Sequence, residues 1–327
     1  MPSDVMEVLI KGLIVVLVLM GAAAYMTFCE RVVMAKMQLR IGPNRVGPLG
    51  LLQPIADGIK LLCKESFRPT GAEMLTYWLA PGISLFTALA AFVLIPIGGS
   101  VVLWGHPVTL YIADINAGIV FLLAFSSLAV YGVVLAGWGS DNRYSLLGGL
   151  RSTAQIISYE IPMGISLLTV ILAAGTLSLP KIVEAQSNYW FVLTNPISFI
   201  IYVITAFAET NRAPFDLPEA EQELTGGYHT EYGGMKFAMF FLAEYVNILA
   251  VSSIAITLFL GGWHGPGDIP VVWFFLKLAA FVFFFILVRS TMARLRYDQL
   301  MSFGWKVLTP IAIVNLIVTA YFILVVQ

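Results

Sequence analysis

Long apolar stretches alternate with short polar segments along almost the whole chain. A membrane-spanning helix needs about 20 mostly apolar residues, and eight stretches are candidates, the fifth being the shortest. The predicted spans are residues 8–28, 76–97, 115–137, 154–174, 196–208, 235–260, 271–288 and 307–326. Residues 1–7 lack the basic segment of a signal peptide, so the first span is expected to be retained. The pattern predicts an all-α, polytopic membrane protein with 1–327 as a single integral membrane domain.

The polar loop 30–75 contains a further helix of a different character. Its apolar and polar residues fall on separate faces: Leu52, Ile55, Ile59 and Leu62 on one, and Asp57, Lys60 and Lys64 on the other. Pro54 suits the first turn of such a helix. A basic amphipathic helix beside a span usually lies in the membrane interface. We therefore predict an amphipathic helix at about 51–66, which either covers the bundle or walls an opening for a lipid-like substrate.

Composition agrees with lipid as the solvent. Of the 327 residues, 59% are hydrophobic and 11% are charged, and the mean hydropathy is +0.88. A soluble domain carries about 25% charged residues. The formal net charge is −1 without a long basic run, so no nucleic acid partner is predicted.

The placement of Lys and Arg predicts the orientation. With eight spans, 15 of the 18 basic residues fall in loops on one side, two fall on the other, and Lys277 falls inside a span. The two on the sparse side are Lys11 and Lys181. This asymmetry places the long loops in the cytoplasm and both termini on the outer, periplasmic side.

One cytoplasmic loop, at about 209–234, is acidic. It holds six carboxylates, namely Glu209, Asp216, Glu219, Glu221, Glu223 and Glu231. Most membrane-protein loops on this side carry positive charge. An acidic loop joined directly to spans suggests a proton or cation path, or a docking surface for a partner.

Ionisable residues also occur within the predicted membrane. Glu160, Glu244 and Lys277 lie in spans, and Glu30 and Glu209 lie at span ends. A charge at mid-membrane costs on the order of 3 kcal/mol, so such groups usually face a bundle interior and act in transport or proton transfer. The alternative is a static buried ion pair, for instance between Glu244 and Lys277.

A second signal lies two residues after Glu160, where Pro162 can break or kink the helix. Broken helices with ionisable groups at mid-depth are typical of ion-translocating proteins.

Redox and metal motifs do not occur in the chain. His106, His229 and His264 are far apart and lack ligand spacing, so no metal site is predicted, and Cys29 and Cys63 are expected to be free thiols. There is no phosphate-binding loop or dinucleotide fingerprint. Redox chemistry would have to reside in a partner.

Several polar segments, in order and over essentially the whole chain, resemble the H subunit of proton-pumping NADH:quinone oxidoreductase, respiratory complex I. They are Glu30-Arg31, 37–44 (MQLRIGPN), 52–60 (LQPIADGIK), Arg151 with 154–160 (AQIISYE), 209–223, 243–245 (AEY) and 296–301 (RYDQLM). Related subunits of membrane-bound hydrogenases share part of this pattern.

The resemblance implies a role at the quinone site. Members of this family have eight membrane helices, and with two peripheral-arm subunits they build a cavity that quinone reaches between the first helix, the sixth helix and the amphipathic helix. The resemblance places Glu30, Arg31, Arg40, Asp57, Arg212 and Asp216 at the quinone passage and cavity. It places Glu160, Glu209, Glu244, Glu219, Glu221 and Glu223 on the proton path, with Lys277, Arg294 and Arg151 as basic partners.

The resemblance also implies the partners. Quinone is the substrate, FMN and iron–sulfur clusters belong to partner subunits, and antiporter-like subunits and lipid of the bacterial inner membrane surround the chain. Three alternatives stay open. They are the equivalent subunit of a hydrogenase or ferredoxin-linked complex, a stand-alone cation/proton antiporter, and a structural anchor whose buried ion pairs serve only stability.

Overall fold

The chain folds into a bundle of long helices with short connections. The computed structural model describes residues 2–103, 106–216, 226–267 and 269–326. The helices are α1 (Pro2–Met37), α2 (Gln53–Cys63), α3 (Met74–Ala91), α4 (Gly118–Gly139), α5 (Arg143–Ala174), α6 (Leu179–Ala185), α7 (Phe191–Thr194), α8 (Pro196–Glu209), α9 (Gly234–Phe259), α10 (Pro270–Thr291), α11 (Tyr297–Phe303) and α12 (Thr309–Val326). A π-helical turn, Gly304–Leu308, joins α11 to α12.

Seven helical segments of the described chain are long and apolar enough to cross a membrane. They are α1, α3, α4, α5, α9, α10 and the continuous segment from α11 to α12. The residues of the predicted fifth span form α8, which has 14 residues, is about 21 Å long at 1.5 Å per residue, and is shorter than these seven segments. The chain is therefore a multi-pass, predominantly helical membrane protein.

The start of α5 differs from the sequence prediction. The helix begins at Arg143 rather than at 154, because the side chain of Asn142 accepts a hydrogen bond from the backbone N–H of Tyr144 and caps the first turn. The apolar run marks only the part of the helix that lies in lipid. α5 also continues through Pro162, so this proline does not break the helix.

Small elements on the predicted outer side have no counterpart in the sequence prediction. An antiparallel hairpin pairs β1 (Ser100–Leu103) with β2 (His106–Thr109), with Ser100 opposite Thr109. The short helices α6 and α7 follow α5. A search for 20-residue apolar runs cannot detect elements of four to seven residues.

Burial divides the bundle into a centre and a periphery. The apolar part of α9 is 67% buried, whereas those of α1 and the α11–α12 segment are 11% buried. α9 packs against α1, α2, α3 and α10, and α5 packs against α4, α8 and α12. The central helix is thus enclosed by the chain itself, while the first and last helices offer apolar surface to lipid or to other subunits.

The predicted helix near residue 51 is present as α2. Pro54 lies in its first turn, and the side chains of Ile55, Ile59 and Leu62 are exposed. An ion pair of 2.6 Å between Arg31 Nη1 and Asp57 Oδ2 ties α2 to α1. The exposed apolar side chains of α2 are therefore held next to the C-terminal end of α1.

Candidate functional site

Arg212, just after α8, lies between the buried Glu30 and the largely buried Glu244, which come from distant parts of the chain. Its Nη1 is 3.3 Å from Glu30 Oε1, and its Nε forms an ion pair with Glu244. Tyr245 donates a hydrogen bond of 2.8 Å to Glu30 Oε2, and its ring lies 4.6 Å from the Arg212 guanidinium. A guanidinium has five donors in a planar fork, so one side chain can serve both carboxylates.

Three more charged residues extend this group. Arg289 of α10 pairs with Glu30, and Arg294 Nη2 is 3.0 Å from Asp216 Oδ2. We call Glu30, Arg212, Asp216, Glu244, Arg289 and Arg294 the ion-pair cluster. Three carboxylates and three guanidinium groups balance when all six are ionised, so a change of one charge leaves the cluster uncompensated.

Asp216 is the carboxylate of the cluster that lies in the loop. Burial raises its pKa above the usual value, and Arg294 and Arg212 oppose that shift. Its Oδ1 is buried without a hydrogen-bond partner among the described residues. The carboxylate thus binds a proton more readily than an exposed aspartate does.

The segment that carries Arg212 is held by α5. Gln155 is fully buried, and its Nε2 donates to the carbonyl oxygens of Ala208 and Phe215 at 2.9 and 2.8 Å. One turn earlier, Ser152 accepts a hydrogen bond of 3.1 Å from Asn211 Nδ2. These bonds fix the backbone on both sides of Arg212 and so set the position of its guanidinium.

A second group of acids lies against α4. Ser126 donates to Glu209 Oε1 and Ser127 donates to Glu160 Oε1. Glu209 is 8% exposed, and its Oε2 has no hydrogen-bond partner in the described part of the chain. We call the two adjacent serines and the two glutamates that they contact the serine–glutamate pair. Because Ser126 and Ser127 are adjacent on α4, the two carboxylates that they contact come from neighbouring helices, α8 and α5.

A cavity of about 100 Å³ connects the two groups. Its lining includes Ser126 and Glu209 from the serine–glutamate pair and Glu244 from the ion-pair cluster, together with Asn211 and Asn247. A cavity of this size with polar groups in its wall has room for several water molecules. Water could therefore relay protons between carboxylates that do not touch.

Lys277 does not join either group. Its ammonium donates to the carbonyl oxygens of Leu260, Gly262 and His264 at 2.6, 2.9 and 2.6 Å. An ammonium has three N–H donors, and all three are used. The alternative of a static Glu244–Lys277 pair is wrong, because Glu244 pairs with Arg212. Lys277 instead caps the carboxyl end of α9, which favours a cation.

The other predicted basic and passage residues lie outside the ion pairs of the cluster. Arg151 lies 5.7 Å from the ring centre of Tyr297. Arg40 is exposed and donates to Gln38 Oε1 at 2.7 Å, and the Arg31–Asp57 pair links α1 to α2. Of the predicted basic partners, Arg294 pairs with the predicted loop acid Asp216.

Part of the predicted acidic loop, including Glu219, Glu221 and Glu223, lies outside the described residues. The segment that follows, 226–232, is anchored to the bundle. The rings of Tyr77 and Tyr232 stack at 4.3 Å, and Asn142 Nδ2 donates to Glu231 Oε1 at 2.6 Å. Burial lowers the pKa of His229 to about 4, so this imidazole is neutral near pH 7.

Several residues of the site were missed by sequence reasoning. Tyr245 and Gln155 lie within the segments that carry the family resemblance, so a signal was present. Arg289 is one of the cytoplasmic basic residues, and its pairing with Glu30 was not predicted. Ser126 and Ser127 gave no signal, because serine is common in membrane helices. Within the described ranges, no group of three or more His, Cys, Asp or Glu could hold a metal ion.

Comparison with known proteins gives a consistent family. The sequence profile described as NADH dehydrogenase matches residues 10–320, which include every residue of the ion-pair cluster and the serine–glutamate pair. The H subunit of NADH-quinone oxidoreductase from Protochlamydia amoebophila is 76% identical over 304 residues, covering 93% of this chain and 94% of that protein. An H subunit of NADH-quinone oxidoreductase from Geobacter metallireducens is 52% identical over 321 residues, covering 98% of each.

Proposed function

Because the chain belongs to the family of NADH-quinone oxidoreductase H subunits, we propose that it lines the quinone passage of that enzyme and couples quinone reduction to proton translocation. It is a membrane subunit of complex I. The observation that carries the coupling role is the ion-pair cluster. Three largely buried carboxylates lie around the buried Arg212 guanidinium, with Arg289 and Arg294 more exposed. Burying these charges is expensive, and a static anchor needs no such arrangement.

The proposed passage lies between α1, α2 and α9. In this proposal α2 is an amphipathic helix that lies in the membrane interface, and its exposed side chains Ile55, Ile59 and Leu62 would face lipid. It packs on both α1 and α9, and the Arg31–Asp57 pair fixes its polar side. A lipid-like quinone could pass from the bilayer along the apolar face of α2 towards Glu30, while Arg40 lies on the exposed loop beyond α1.

The membrane topology follows from the same arrangement. We propose that α8 also crosses the membrane, as the fifth span in chain order, which brings the number of spans to eight. Its 14 residues are apolar, and it connects the proposed outer loop of α6 and α7 to the proposed inner loop of Arg212. Arg212, Arg289 and Arg294 meet at one end of the bundle. The asymmetry of Lys and Arg supports assigning that end to the cytoplasmic side, and both termini would then lie on the periplasmic side. The described parts of the acidic loop, 209–216 and 226–234, would then face the peripheral arm.

Electrons would reach quinone from iron–sulfur clusters of partner subunits that also hold FMN. Reduction adds negative charge beside the balanced ion-pair cluster, and Asp216 and Glu244 respond by taking up protons. Arg212 then loses one of its anionic partners and moves with the loop that carries it. Proton transfer continues through the cavity to Glu209 and Glu160, and from there to antiporter-like neighbours. Glu219, Glu221 and Glu223 would supply protons from the cytoplasmic side.

Conservative replacements in the assembled complex test this proposal. Glu160→Gln and Glu244→Gln keep side-chain shape but cannot exchange a proton, whereas Glu184→Gln, at an exposed position of α6, is a matched control. We expect the first two to lose most NADH-driven proton pumping, because a positioned proton-transfer group contributes about 10²–10⁴-fold to rate. Normal quinone reduction and normal pumping in both variants would refute the coupling role.

A further inference from the structure

Helix α4 presents two adjacent hydroxyls to two different neighbouring helices. Ser126 donates to Glu209 at the end of α8, and Ser127 donates to Glu160 within α5. Successive residues of a helix point about 100° apart, at 3.6 residues per turn. Two consecutive serines on one helix can therefore contact carboxylates on two others, and α4 links the two acids without a charge of its own.

The two serines differ in the acceptors within reach. Ser127 Oγ is also 3.0 Å from the carbonyl oxygen of Leu123, but a hydroxyl has a single proton to donate. An ionised Glu160 accepts that proton. A protonated Glu160 can donate to Ser127 Oγ instead, and the Ser127 hydroxyl then turns to Leu123. Among the described residues, the hydroxyl of Ser126 has Glu209 as its acceptor.

We propose that Ser126 and Ser127 are positioning residues for proton transfer. Ser126 holds one oxygen of Glu209, which leaves the other oxygen without a hydrogen-bond partner among the described residues, beside the cavity. Ser127 exchanges its hydrogen-bond partner each time Glu160 gains or loses a proton. This inference rests on the proposed proton-carrying function of both carboxylates.

The charged and titratable groups around Glu209 come from several helices. They are Glu160 on α5, Tyr202 on α8 and Glu244 across the cavity on α9. Replacing either serine leaves all of these in place. A changed pH response in a serine variant can therefore be assigned to the lost hydroxyl rather than to a lost charge.

The test is the pH profile of coupled turnover in the assembled complex, reconstituted into vesicles. Ser126→Ala and Ser127→Ala each remove a hydrogen-bond donor that favours the ionised form of a carboxylate. The limb of the pH profile that depends on ionisation of Glu160 or Glu209 should therefore move to higher pH by about one unit. The KM for quinone should stay unchanged. Ser126→Thr and Ser127→Thr retain a hydroxyl and should restore the native profile. Ser158→Ala is the matched control, since this buried serine bonds to the Ala154 carbonyl of its own helix.

The outcomes separate this inference from the function on which it rests. Profiles of the two alanine variants that superimpose on that of Ser158→Ala would overturn the role of the serines. If the alanine variants give that result but Glu160→Gln and Glu209→Gln lower proton pumping, the coupling role of the carboxylates is retained without a role for the serines. If the two glutamine variants also pump normally, both proposals fail. A shift in the alanine variants that threonine reverses supports the inference.

Discussion

Replacement of Arg212 by methionine tests whether the ion-pair cluster acts as one unit. The side chain makes two charged contacts, with Glu30 and with Glu244, and hydrogen bonds to charged groups contribute roughly 1.5–3 kcal/mol each. Glu30 keeps Arg289 as a partner, whereas Glu244 is left without its cation. Removing one partner of a buried pair typically costs about 3–5 kcal/mol. The estimate from the lost hydrogen bonds and the estimate from the broken buried pair both predict that Arg212→Met lowers stability by several kcal/mol.

A double variant gives the sharper measurement. Adding Glu244→Gln to Arg212→Met removes the uncompensated carboxylate, so the double variant should be more stable than Arg212→Met alone. Stability is measured as the temperature at which half of the detergent-solubilised complex loses NADH:quinone activity. Arg296→Met is the control, because its 3.4 Å pair with Asp298 is exposed, and such surface pairs contribute about 0–1 kcal/mol.

The result that refutes this reasoning is additivity. If Glu244→Gln lowers stability by the same amount in the native and in the Arg212→Met background, the two side chains do not interact energetically. A loss in Arg212→Met no larger than that in Arg296→Met would likewise show that the cluster contributes nothing to stability.

Three further predictions concern other parts of the chain. Lys277→Met should lower the half-inactivation temperature but leave the pH profile of the assembled complex unchanged, because the hydrogen bonds of Lys277 go to backbone carbonyls; a shifted profile would contradict this. Gly148→Ala would place a Cβ 2.8 Å from Gly227 Cα and should expose the segment 226–232 to protease, at a cost of about 1–3 kcal/mol; Gly164→Ala, with open space at its Cβ, is the control and should resist cleavage. Burial lowers the pKa of His229 to about 4, so its contribution to stability is full above the ordinary value of about 6.5 and is lost as pH falls towards 4; the acid sensitivity of that segment should diminish in His229→Asn, and an unchanged acid response would refute it.

The sequence predicts the spans well because lipid imposes one simple requirement on them. A helix in the bilayer must be apolar over its membrane length, and even the short apolar segment 196–208 agrees closely in its bounds with helix α8, Pro196–Glu209. The requirement ends at the membrane surface. The first 11 residues of α5 were missed because they include Arg143 and Arg151 and are stabilised by a cap rather than by lipid.

The members of the site were easier to predict than their pairings. Glu160 and Glu244 stand out in the sequence because a charge in an apolar run is costly. Their partners depend on how helices pack, and helix packing has no local signature. Arg289 is 259 residues from Glu30 in sequence, and the polar contacts of Ser126 and Ser127 form only when α4, α5 and α8 come together.

The position of Arg212 means that a movement of the loop also moves a charge relative to the bundle. This residue is part of the loop backbone, yet its charge lies between a carboxylate on α1 and another on α9. Any movement that carries the loop away from the bundle therefore separates one positive charge from two negative charges. Displacement of the loop and the charge on Glu30 and Glu244 are then energetically coupled, so that a change in either one alters the free energy of the other.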